Sequence, residues 1–103
     1  MSRLAVAIIL ALLSAGHAGA AAASFEESLA MAQGHLDSGE FDKALDILHE
    51  LQVDHPDSGI VAYGLGKALY GRARHQEELG AKDEAAASYG EAETAFARIS
   101  GDK

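Results

Sequence analysis

The chain contains no cysteine and no tryptophan, one proline (Pro56), and only 6% aromatic residues in 103. Without cysteine there is no disulfide, no thiolate metal site, no thiol nucleophile and no lipid-modified cysteine at a lipoprotein cleavage site. Positive charge is scarce as well, with 8 Lys and Arg against 16 Asp and Glu and a formal charge of -8. Nucleic-acid binding depends on Lys and Arg neutralising phosphates, so a surface of this sign repels a polyanion. A nucleophile elbow and a glycine-rich phosphate loop are both lacking, and neither Ser88 nor Ser100 has a base at a spacing that pairs with it. A small alanine-rich chain also offers little enclosed volume from which to exclude water. The sequence therefore gives no reason to expect an enzyme, and it implies no cofactor.

Apolar residues make up 49% of the chain, but they are unevenly placed. Seventeen fall in the first 23 positions, leaving 33 for the other 80. Many of those 33 are alanine, which buries little surface, so one small domain with a thin stability margin is expected. Disorder fits poorly, because these residues recur at helical spacing.

Met1, Ser2 and Arg3 make a short positive start, and Leu4 to Leu13 is an unbroken apolar run. Small residues follow, and Ala18-Gly19-Ala20 has the small-x-small form that signal peptidase accepts. Ten strongly apolar residues fall short of a bilayer span. Residues 1–20 therefore read as a signal peptide, with cleavage between positions 20 and 23. The mature protein is expected to be exported, periplasmic or secreted, with no membrane span.

Ser24-Phe25-Glu26-Glu27 has the Ser-x-x-Glu form of a capping box and should open a helix. Leu29, Ala32 and Leu36, joined by Phe25, form its apolar stripe, and Ser38-Gly39-Glu40 breaks it. A second helix is predicted from Phe41 to Val53, with Ala44, Leu45, Leu48 and Leu51 inward; Pro56 and its acidic neighbours end it. A third should run from Gly59 to Leu79 with Ala62, Leu65, Gly66, Leu69 and Ala73 inward. Gly64, Gly66 and Gly71 each cost about 1 kcal/mol relative to alanine there, which points to a neighbouring helix in close approach. After Gly80-Ala81-Lys82-Asp83 a last helix reaches Ile99, with Ala85, Tyr89, Ala92, Phe96 and Ile99 on one side.

This order of helices and turns resembles the tetratricopeptide repeat (TPR) family. Phe25 to Ser58 spans 34 residues, the length of one repeat. Ala32, Gly39, Phe41, Ala44, Leu48 and Pro56 match the small, turn, aromatic, alanine, large apolar and closing-proline positions, with Met31 in the leucine position. Ser28, His35 and Leu51 depart from the usual tryptophan or leucine, tyrosine and alanine. The second unit, counted back from Gly80, has a first helix seven residues too long. Seven residues are two helical turns, so the buried stripe survives. The resemblance implies an all-α fold over residues 24–100: two TPR-like hairpins, repeat one at 25–58 and an elongated repeat two at 59–100.

The resemblance also implies a concave face built by the first helix of each hairpin. Tyr63, Lys67, Tyr70 and Arg74 are spaced to share one helical face, and Glu26, Leu29, Gln33 and Leu36 make the matching face of the first hairpin. Two tyrosines flanked by two cations in an acidic chain point to a protein or peptide contact, toward an acidic or carboxylate-bearing segment. The same face is also consistent with tyrosines that pack on the neighbouring hairpin. Two other surfaces deserve comparison. Two repeats leave an uncapped end, where Ala86, Ala87, Ala95 and Ala97 would favour a homo-oligomer. Asp42, Asp46 and His49 share one face, and His75 lies a turn from Glu78, an arrangement that a weak metal site would need and that a hydrated helix shows equally. The leading expectation is an exported interaction module, an adaptor or scaffold. The alternatives are a self-associating structural subunit and, further off, a metal or small-ligand carrier.

Overall fold

A computed structural model describes residues 23–101. The expected signal peptide and its cleavage region up to residue 22 lie outside the described residues. The described chain is all helical: α1 (Phe25–Asp37), α2 (Phe41–Asp54), α3 (Gly59–Glu78) and α4 (Lys82–Gly101). Serine side chains cap the starts of α1 and α3. Ser24 Oγ accepts from the Glu27 N–H and the Glu27 carboxylate accepts from the Ser24 N–H, both at 3.0 Å, closing the capping box. Ser58 Oγ accepts from the Val61 N–H at 3.3 Å and opens α3.

The α1–α2 and α3–α4 turns are built alike. Gly39 and Gly80 carry positive φ angles of 76° and 84°. The Gly39 and Glu40 N–H groups donate to Leu36 and His35, and the Gly80 and Ala81 N–H groups donate to Glu77 and Gln76. That is the Schellman arrangement, which requires a left-handed residue after the cap and so favours glycine. Short turns of this kind reverse the chain, so α1 and α3 run the same way with α2 antiparallel between them.

The core is a single apolar cluster drawn from all four helices, with Leu45, Leu48 and Leu51 of α2 meeting Val61, Leu65, Ala68 and Leu69 of α3. All four residues expected inward on α2 are buried, as are all five on α3. The α3 glycines do receive neighbours. A Cβ at Gly66 would overlap the Phe96 ring, and one at Gly71 would overlap the Phe41 ring. On α4 the outcome differs from the expected stripe. Ala85, Ser88, Ala92 and Ala95 are buried, Tyr89 and Phe96 are half-buried, and Ile99 is exposed. Small residues let α4 lie close on α3, with the Phe96 ring set on Gly66 and the Tyr89 ring against Tyr70. Ala95 thus belongs to the core, while Ala86, Ala87 and Ala97 are exposed. On α1, Ala32 is buried and Phe25, Leu29 and Leu36 pack partly on the core, whereas Met31 is 54% exposed.

Beyond Gly71, α3 continues past the α1–α2 turn to Glu78, a run of about 10 Å at 1.5 Å per residue. Arg74, His75 and Glu78 of this overhang enclose a small notch of 220 Å³ with Phe41 and Gly71. A polar network stiffens its base. Arg72 donates to Ser88 Oγ on α4 at 3.2 Å and pairs with Asp42 of α2 at 3.4 Å and Glu91 of α4 at 3.3 Å. The buried Ser88 hydroxyl in turn donates to Gln76 Oε1 at 2.8 Å. No helix among the described residues is long and apolar enough to cross a membrane.

Candidate functional site

On the side of the α1/α3 pair away from α2, the two helices bound an open groove of about 420 Å³. This is within the range of ligand-holding clefts, roughly 300–1,000 Å³. From α1 it takes Glu26, Leu29, Ala30, Gln33 and Leu36, and from α3 it takes Ile60, Tyr63, Gly64 and Lys67. Ala32 and Leu48 form the floor. Leu48 is 1% exposed and belongs to the core, so it reaches from α2 between the two helices. Gly64 gives it room: a Cβ there would stand 3.0 Å from Leu48 Cδ2.

The walls are apolar and unusually open for their size, with Ile60 55% and Tyr63 51% exposed. The Tyr63 ring is held from two sides. Its centroid lies 6.1 Å from that of Phe96, and Lys67 Nζ lies 5.2 Å from the ring centroid. Lys67 forms no ion pair among the described residues. Gln33 is partly engaged, its side-chain N–H donating to Asp37 Oδ1 at 3.0 Å.

The residues expected on the contact face separate into two groups. Leu29, Gln33, Leu36, Tyr63 and Lys67, with Glu26, line the groove together. Tyr70 and Arg74 do not line it. Tyr70 packs edge-on against Tyr89 of α4 with centroids 5.3 Å apart, and Arg74 borders the notch over Phe41. Helical spacing alone assigned four residues to one face; α4 and the start of α2 engage the last two. Ile60 was missed, although its position three residues before Tyr63 on the same helical face was the available signal.

Two groups outside the groove lining titrate away from their ordinary values. The Glu40 carboxyl is held below the usual glutamate range, first by the hydrogen bond from His35 Nδ1 at 2.8 Å and then by the Lys43 charge. The Tyr89 hydroxyl is pushed above its usual range, chiefly because it donates to Glu77 Oε1 at 2.9 Å. Neither faces the groove interior, and neither is arranged for proton transfer to a bound group.

Among the described residues no three His, Asp or Glu side chains gather as a metal site. Asp42 is drawn to Arg72, and His75 stands 4.0 Å from Glu78 without a third ligand. A second cavity of 410 Å³ opens at the other side of the first hairpin, with Phe25, Met31, Ile47 and Leu51 beside Glu50, Asp54 and His55. The Phe25 and His55 rings meet there edge-on, with centroids 4.6 Å apart. No protein-family model, curated protein or solved structure matches the chain.

Proposed function

We propose that the chain is an exported protein-interaction module of TPR-like construction, acting as an adaptor or scaffold that seats a partner protein in the α1/α3 groove. The groove carries this reading: two helices from different hairpins jointly present an open apolar trough, and on its wall stands Lys67, which forms no ion pair among the described residues. Apolar clefts with a few convergent polar groups are where proteins commonly seat ligands and partners. The equivalent turns of the two hairpins support the repeat construction. The positive start, apolar run and small residues of positions 1–20 support export.

The test is site-specific photo-crosslinking in the native envelope, with the reactive side chain placed at Leu36 in the groove or at Glu84 on α4. A single partner captured from Leu36 and not from Glu84, and lost on Tyr63→Ala, is the expected result. Equal capture from both positions would remove the groove as the contact face.

The second cavity and the exposed Met31 favour one other reading, a self-associating subunit that covers the open end of the first hairpin with another copy. Sedimentation across a wide concentration range separates the two. A monomer at every concentration leaves the adaptor reading, while a dimer broken by Met31→Glu establishes the alternative.

A further inference from the structure

Resting on the groove as the partner-binding face, the geometry points to an amphipathic α-helix as its occupant, with an apolar stripe on Leu29, Leu36, Ile60 and Tyr63 and a carboxylate side chain against Lys67. Main-chain chemistry carries the inference. From Glu26 to Leu36 the α1 wall is ten residues on, about 15 Å. An extended segment crossing that length brings about four or five residues, each with an N–H and a C=O that need partners once water is displaced. The lining offers few: Glu26, Gln33, the Tyr63 hydroxyl and Lys67, with Gln33 already donating to Asp37. Both walls are helices, so no sheet edge is present to pair with an added strand. Burying unpaired amides against Leu29, Leu36 and Leu48 is unfavourable. A helix satisfies its own main chain and presents only side chains, which is what an apolar lining can accept.

The architecture repeats the same solution on the opposite side. There α2 lies between α1 and α3 and inserts Leu48, so the pair already accommodates one helix. The charge on the occupant follows from Lys67, a cation without a carboxylate among the described residues, in a chain of formal charge -8. An acidic group on the visitor gains that contact, and its placement sets which end of the helix lies toward Lys67.

The experiment titrates the full chain with a panel of synthetic peptides of one length, roughly 14 residues. One has leucines at i, i+3, i+4 and i+7 with a glutamate a turn beyond; a second alternates leucine and polar residues; a third is the first with a central proline; a fourth replaces the glutamate by glutamine. Anisotropy gives affinity, and NMR methyl signals of Leu29, Leu36 and Ile60 give the footprint. The helical peptide is expected in the groove at least about tenfold tighter than the alternating and proline peptides. Lys67→Glu is expected to weaken it about three- to fivefold more than it weakens the glutamine peptide. A groove footprint in which the alternating or proline peptide binds as tightly overturns the helical occupant and leaves the groove. A panel that leaves the groove signals unmoved overturns both.

Discussion

At Gly66 an added methyl group would overlap the Phe96 ring, whereas at Gly90 on α4 it would meet nothing within 4 Å. The two glycines therefore respond to alanine with opposite signs. Gly90→Ala should stabilise the chain by up to about 1 kcal/mol, through helix propensity alone. Gly66→Ala gains the same propensity but displaces a packed ring, for a net loss of about 1 kcal/mol. Thermal melts of the two variants should move in opposite directions.

Two groups, the exposed Glu40 and the half-buried Tyr89, act on opposite limbs of the pH dependence. Glu40 titrates below the ordinary 4.5 in the folded chain, so its contribution is complete above that value and is lost as pH falls through the lower folded one. Tyr89 titrates above the ordinary 10.0, so its contribution is complete below that value and is lost as pH rises through the higher folded one. Melting temperatures followed from acid to alkaline pH should show Glu40→Gln flattening the acid limb and Tyr89→Phe the alkaline limb. Residue-level legibility in the sequence was uneven. The Ser24–Glu27 box and the crowded glycines of α3 are local signals and could be read directly. Ser88 could not, because its partners Gln76 and Arg72 lie 12 and 16 residues away on another helix.

Among the elements, α3 touches every other helix, and Arg72 ties it to two of them. Arg72→Met keeps the apolar stem but removes the contacts to Ser88, Asp42 and Glu91. A loss of about 1–2 kcal/mol is expected, since the carboxylates are exposed and the buried hydroxyl keeps Gln76. A double-mutant cycle with Ser88→Ala should show coupling between the two. The overhang beyond Gly71 lies against α4 and meets α2 at its first residues, Phe41 and Asp42, so amides of residues 74–79 should exchange faster than those of residues 62–69. Helix boundaries and the buried faces of α2 and α3 were legible because leucine and alanine recur there with strict helical spacing. The buried face of α4 was legible in part: Ala85 and Ala92 of the expected stripe are buried, its large members are not. Helical spacing placed Tyr89, Phe96 and Ile99 on that side too, but a helix lying close on another buries alanines, and its rings find room at the edges or in a glycine notch.

For the molecule as a whole, a core of leucines, alanines and one valine leaves little in reserve. Leu48→Ala, which empties the centre of that core, should cost about 2–5 kcal/mol and leave the chain largely unfolded at room temperature by circular dichroism. The all-helical order was legible from the spacing of apolar residues and two glycine turns. The division of the expected contact face was not, because it depends on how far the second hairpin outruns the first.

Leu48 has one end in the centre of the fold and the other at the bottom of the trough. Whatever settles over it adds contacts to the same side chain on which the folded state depends. Occupancy and foldedness are thereby linked by mass action: a saturating guest raises the melting point in proportion to the logarithm of its concentration, and a chain kept without one spends more time open.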